Sequence, residues 1–210
     1  MHIIDTDGVA ALSIRHLGGA LGVNGASLYY HYANKDAILD ELVLHLLGDI
    51  RLEVEPIDDW KTHFLNHELA YRNAIAQHPN MAPIVLERRP RRFGVPVYEQ
   101  GADVLLSLGI PPSEAWAILD HLEALALGSA LLAMPGHGPD ETFAATLDPG
   151  AKLALVLKAR SELSDEQHFE LAVRTFLDGV EHRWVQKCGG AGTTAVKRGG
   201  ARRRRSAPAR

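Results

Sequence analysis

Apolar residues recur at helical spacing along nearly the whole chain, and the strict alternation that marks strands is scarce. Ser13 is placed to cap a short helix, SIRHLGGAL, that ends at Gly22. A second short helix begins near Asn24 and runs to about Tyr32. Asn34 caps a long third one, KDAILDELVLHLLGDIRLEV, in which Ile38/Leu39, Leu42/Val43, Leu46/Leu47 and Ile50 form one wide apolar stripe. Pro56 stops it, and Asp58 and Asp59 open the next helix, which carries Trp60, Phe64, Tyr71 and Ile75. HPNMAP breaks that helix, PIVLERRPRRFGVP predicts a short helix plus loop, and VYEQGADVLLSLG predicts a helix closed by Gly109. Two long helices follow, Pro112 to Met134 and SDEQHFELAVRTFLDGVEHRWVQK. The second starts with a capping box, Ser164 and Gln167, and aligns Phe169, Val173, Phe176, Val180 and Trp184 on one face. Between them lie a Pro/Gly loop, PGHGPDETFAATLDPG, and a shorter helix, AKLALVLKAR. The pattern predicts an all-α fold.

Composition changes this picture little. The chain has 210 residues, 46% hydrophobic and 23% charged, ordinary for a globular protein with a sizeable core. No apolar run reads as long enough to cross a bilayer, and the N-terminus lacks a basic segment followed by an apolar one. A cytoplasmic protein with no membrane partner is expected. The lone cysteine, Cys188, cannot form an intrachain disulfide or a cysteine-rich zinc site.

Charge adds more. From Gly189 onward there are seven lysines and arginines and no acid, in a Gly/Ala/Arg composition typical of a disordered tail. Subtracting those seven from the net charge of −4 leaves a body of −11. The expected organisation is a helix-turn-helix domain over 1–47, a helical domain over 48–188, and a disordered basic tail over 189–210.

Ser13 to Tyr32 reads as two short helices joined by a tight glycine turn, LGV. That is the outline of a helix-turn-helix, whose second helix enters the DNA major groove. The longer string DGVAALSIRHLGGALGVNGASLYYHYANKDAIL resembles the N-terminal domain of the TetR family of bacterial transcriptional repressors. The resemblance rests on the Gly8 turn, the Leu12-Ser13 cap, Leu17, Leu21-Gly22-Val23, Leu28-Tyr29, the aromatic Tyr32, and Lys35 before an apolar helix. Only MHIIDTD precedes Gly8, so the first helix reads as truncated, with Ile3 and Ile4 doing the work of a longer apolar face.

The resemblance makes LYYHY the end of the recognition helix. Leu28 would anchor it inward, Tyr29 would offer its hydroxyl to a backbone phosphate, and Lys35 would add a charge beside it. Tyr32 reads as packing. Arg15 has the reach for a bidentate contact to guanine, and Ser27 projects from the recognition helix. Asn24, Gly25 and Ala26 would form its tip, Gly25 and Ala26 allowing close approach and Ala26 meeting a thymine methyl. His31 reaches a phosphate or packs locally; both readings stand. Arg15 and Lys35 balance Asp5 and Asp7, so residues 1–35 carry no net charge and non-specific DNA affinity should be weak. The arginine tail either adds phosphate contacts or is simply solvated.

In the second domain, His63, His67 and Tyr71 lie four apart and share a helix face. The pair of histidines lacks an apparent third metal ligand, and HFLNH lacks the glutamate of a zinc-protease motif. The resemblance extends to a C-terminal domain like that of the family's tetracycline-binding members, through Trp60, Arg72, Arg89-Pro90 and Leu127-Gly128. In that register His67 and Tyr71 fall at drug-contacting positions. The histidine that would hold the drug's magnesium is replaced by Val85, and the opposing carboxylate position falls at Leu132. No metal and no cofactor are therefore expected. A mostly apolar effector pocket is expected instead, with candidate lining residues His63, His67, Tyr71, Val85, Trp116 and His121. The two long helices resemble the family's dimer-forming pair, with Gly128, Ser129 and Ala130 permitting close approach and Phe176 and Val180 in contact. Ordinary packing within one chain is the alternative for those faces.

The function implied is a homodimeric, ligand-responsive repressor that binds a palindromic double-stranded operator and is released by a small-molecule effector, with no enzyme activity. The alternatives are a helical enzyme or sequestering protein using the histidines, or a dimerisation partner that does not bind DNA.

Overall fold

Glycines and short polar side chains, more than long apolar runs, fix the boundaries of the first four helices. The computed structural model describes residues 1–52, 59–88, 94–133, 143, 145–148, 150–160 and 162–185. Helix α1, His2–Asp7, buries Ile3 and Ile4, and Gly8 turns the chain at a φ of 79° into a 3-10 turn, Val9–Ala11. In α2, Ile14–Leu21, the Ser13 hydroxyl accepts from the His16 amide at 3.1 Å. Gly22 closes that helix in the left-handed region, φ 66°, as the Val23 amide donates to the Gly18 carbonyl at 2.9 Å. Asn24 caps α3, Gly25–His31, through the Ala26 amide at 3.0 Å. Asn34 caps α4, Lys35–Leu47, through the Ala37 amide at 2.9 Å.

The predicted third long helix is shorter than its apolar stripe suggests. It ends at Leu47, with Gly48 as its C-cap, and does not reach the 50s. The Arg51 guanidinium donates to the Gly48 carbonyl, and the chain swings round to bury Leu52. Glycine and aspartate at 48–49 are poor helix formers, and burying Leu52 outweighs the few helical bonds forgone.

The remaining helices are α5, Trp60–Gln77; α6, Ala82–Arg88, after a 3-10 turn at Pro79–Met81; α7, Val95–Ser107; α8, Pro112–Leu132; α9, Lys152–Arg160; and α10, Asp165–Val180. The capping box at Ser164 and Gln167 is formed, with both bonds near 3 Å. The last helix does not continue as a regular α-helix; Glu181–Val185 widen into a π turn. No strand occurs among the described residues. Pro56, Asp58, Arg89-Pro90, Met134 and most of the loop after it, Cys188 and the 189–210 tail lie outside those residues.

Helix α5 packs on α8 and α10, and α8 also packs on α7. Phe64, Leu65, Ile75, Leu105, Leu122, Val173 and Leu177 fill the space between them. Gly101 marks the closest approach of α7 to α8: a Cβ there would stand 2.8 Å from Leu119 Cδ2. Arg72 is buried in this core, its Nε donating to Ser129 Oγ at 2.9 Å and its guanidinium lying 5.6 Å from the Phe169 ring centre. Ala130 and Val180 are buried within the chain and the half-buried Ser129 accepts from Arg72, so all three have packing roles inside one chain.

By length and composition alone α8, 21 residues containing an 18-residue window of mean hydropathy 1.3, is long and apolar enough to cross a membrane, which corrects the expectation that no run is long enough. One face of α8 is spent on the core; the other carries Trp116 and Leu132 on the surface.

Two polar latches tie the first helices to the rest. The His78 ring meets the Asp5 carboxylate at 3.0 Å, while the Asn80 amide donates to the Ile4 and Asp5 carbonyls. Arg88 on α6 pairs with Asp36 and Asp40 on α4, and the hydrogen bond to Asp36 raises its already high pKa.

Candidate DNA-reading hairpin and effector cavity

The α2–α3 hairpin is close-packed because glycines sit where its helices meet. Gly18 is buried, and a Cβ there would lie 3.0 Å from the Val23 carbonyl oxygen and 3.4 Å from Gly25 Cα. Leu28 is 6% exposed and is the only buried residue of α3. Everything else of size on that helix points away from the protein. Tyr29 is 61% exposed, Tyr30 95%, and Ala26, Ser27 and His31 are exposed too. Arg15 is exposed in the first turn of α2.

Three of the expected reading residues have local duties. Asn24 uses its carbonyl oxygen as the α3 cap. Gly25 lies against α2, its Cα 3.4 Å from where a Gly18 Cβ would stand, while a Cβ of its own would make an ordinary contact, 3.8 Å from Ile14 Cγ2. Lys35 is half-buried, and its ammonium donates to the Val9 carbonyl at 2.9 Å. It ties α4 to the 3-10 turn. Tyr32 is half-buried against the core, as read. Tyr30 is the residue the sequence reading passed over. Two residues beyond Leu28 means roughly 200° around the helix, so an inward Leu28 forces Tyr30 outward. That phase was available from the sequence.

The second feature is a cavity with about 720 Å³ of free space, counting its open mouth. Its walls come from four helices and one loop: Leu44 and Leu47 from α4, Ile50 and Leu52 after it, Phe64, His67, Glu68 and Tyr71 from α5, Val97 and Tyr98 from α7, and Leu119 and Glu123 from α8. The His67 ring meets the Glu68 carboxyl at 3.2 Å, and the Tyr98 hydroxyl donates to Glu123.

Of the six candidate pocket residues, the structure brings His67 and Tyr71 to this wall. His63, one turn earlier, is half-buried and off it. Val85 is fully buried in α6, Trp116 lies outside with its ring 6.4 Å from that of Tyr98, and His121 is exposed, stacked on Phe176. These four lie off the cavity wall: of α5 only Phe64 to Tyr71 reach it, Val85 packs in the core, and Trp116 and His121 stand on the outside of α8. Glu68, Tyr98 and Glu123 were missed. Glu68 is next to a chosen histidine, but Tyr98 and Glu123 meet only through the α7–α8 packing.

The description "Bacterial regulatory proteins, tetR family" matches residues 1–42. The chain's first 42 residues thus resemble the TetR family. Among curated TetR-family relatives, the tetracycline repressor protein class A from transposon 1721 of Escherichia coli is 25% identical over 189 residues, 87% of each chain. The HTH-type transcriptional repressor Rv1353c of Mycobacterium tuberculosis is 25% identical over 206 residues, covering 89% of this chain and 79% of that one. Apo ActR from Streptomyces coelicolor superposes with a TM-score of 0.70 at 26% identity, over 91% of this chain and 93% of that one. ActR in complex with actinorhodin gives 0.67 at 27% identity, with the same coverage. Within the TetR register set out above, the two magnesium-holding positions carry Val85, sealed in the core, and Leu132, on the surface. Neither side chain has a metal donor, so the residues present do not fit a chelated magnesium ion.

Proposed function

We propose that this protein is a TetR-family regulator, a homodimeric repressor that binds a palindromic operator in the cytoplasm and is released by a small molecule. The observation that carries the reading is α3: one buried leucine holds the helix, and Ser27, Tyr29 and Tyr30 stand outward from a hairpin closed by glycines. Those side chains offer hydroxyls to phosphates and base edges and flat rings to thymine methyls. Arg15 adds the one guanidinium of the hairpin.

The proposed dimer uses the outer faces of α8 and α10. A Cβ at Gly128 or Gly179 would meet nothing within 4 Å, so both faces are open for a second copy, and Leu132 and Leu171 offer apolar surface there. Two-fold symmetry then matches an inverted repeat.

Release is proposed to run through α4. Its first residues follow the recognition helix, and its last turn, Leu44 and Leu47, is cavity wall. A ligand that binds more tightly to the conformation with mismatched half-site spacing empties the operator; equal affinity for both conformations shifts nothing. The complex of ActR with actinorhodin supports a small-molecule effector. Catalysis forms no part of the reading; His78 serves a latch and His67 the cavity wall.

The test is selection of bound fragments from random DNA at low salt, followed by footprinting. An inverted repeat bound by the wild type and lost in Tyr29→Ala supports the reading. No sequence preference by the folded dimer ends it.

A further inference from the structure

We infer that Tyr30 is the residue of α3 that selects bases, its ring packing on a thymine methyl in each half-site. The inference rests on the operator reading above and adds the chemistry by which the sequence is chosen. Tyr30 is 95% exposed, more than any other large apolar side chain among the described residues. Leu28 faces inward, and Tyr30 stands roughly 200° round the helix from it. Ala26 and Ser27, four and three residues before Tyr30, share its side of the helix and are exposed as well. These three make the face of α3 farthest from the protein. Both neighbours are small, so the ring stands uncovered.

That face carries a methyl, an aromatic ring and two hydroxyls. It has no guanidinium or ammonium to bridge guanine, no amide to bridge adenine, and no carboxylate to accept from cytosine. Asn24, the one amide side chain of the hairpin, spends its carbonyl oxygen on the Ala26 amide at 3.0 Å, and Arg15 stands on the other helix. A hydroxyl both donates and accepts, so it pairs with any base and selects none. Apolar surface does select. The 5-methyl of thymine is the apolar group that the major groove displays, and only A·T pairs carry it. The Tyr30 ring is the large apolar surface on this face. Tyr29 lies about 100° to one side, directed at the groove wall, where a hydroxyl meets phosphate.

The probe is the inverted repeat recovered from random DNA by the full-length protein. It is resynthesised with each thymine in turn, in both half-sites, replaced by deoxyuridine, which pairs identically but lacks the methyl. At one symmetric position affinity should fall about fourfold per half-site, the worth of one buried methyl, and about fifteenfold for the pair. In Tyr30→Ala the same replacement should cost nothing further, with the thermal melt unchanged. In Tyr30→Phe the methyl dependence should persist, because the ring and not the hydroxyl makes the contact. A recovered repeat on which every deoxyuridine is harmless overturns the inference and leaves the repressor reading in place. A methyl dependence that survives in Tyr30→Ala, or is lost in Tyr30→Phe, overturns it as well. Recovery of no repeat by the folded protein overturns both.

Discussion

The hairpin and the cavity are built on opposite plans. The α2–α3 hairpin buries almost nothing of its second helix and turns its functional side chains outward, held by caps and glycines within about twenty residues of chain. The cavity turns its functional side chains inward and collects them from residues 44 to 123. One is stabilised locally and reads outward; the other exists only once distant helices have packed. Small local changes should therefore disturb DNA reading without disturbing the body, whereas body mutations should act on the whole fold.

The strongest break comes from Leu122→Ala in the centre of α8, where the side chain is fully buried. It should cost about 3 kcal/mol in urea unfolding. The matching change in the head, Leu28→Ala, should abolish operator binding while lowering the main melting transition less. Equal melting losses would show that hairpin and body are one cooperative unit. Next, Tyr30→Ala should weaken operator binding about tenfold and relax sequence preference, with the melt unchanged. A structural role for Tyr30 would instead lower the melting temperature. Ser13→Ala removes the α2 cap and should cost about 1 kcal/mol of helix stability, seen as faster amide exchange confined to α2 and α3.

The smallest effect tests the body's surface. Lys61 on α5 meets Asp178 and Glu181, each at 2.8 Å, and hydrogen bonds to Asp178 and then Glu181 raise its pKa. These groups are largely solvated, so Lys61→Met should cost about 0.5 kcal/mol. A raised folded-state pKa means the contribution is full below the ordinary lysine value and is lost as pH rises through the raised one. The difference between wild type and variant should thus vanish in strong alkali; a difference that persists would assign the effect to the lysine stem.

How much the sequence disclosed follows the same division. Ser13, Gly22, Asn24 and Asn34 act within four residues of where they stand, and each boundary they predicted is present. The capping box at Ser164 is equally local. The end of α4 was misread because an apolar stripe continues past Gly48 while the backbone does not; Ile50 and Leu52 are apolar for the sake of the cavity and core, not of the helix. His121 and Trp116 were plausible pocket residues by type, but each stands on an outer side of α8, a fact fixed by how α8 rolls on α5 and α7. Ser129 and Ala130 looked like a contact for a second copy, yet buried Arg72 claims the hydroxyl. Pairings across fifty or more residues leave no periodic trace.

Gly101 bears on how such a protein changes its ligand. The width of the binding space is governed by the distance between two rods, and that distance is gauged by a residue that does not itself touch the void. A methyl added there would push Leu119 Cδ2 aside, from 2.8 Å, and make ordinary contacts with Phe64 and Leu52, all three of them wall residues. One codon could thus resize the chamber while leaving its chemical lining intact, separating what fits from what is attracted.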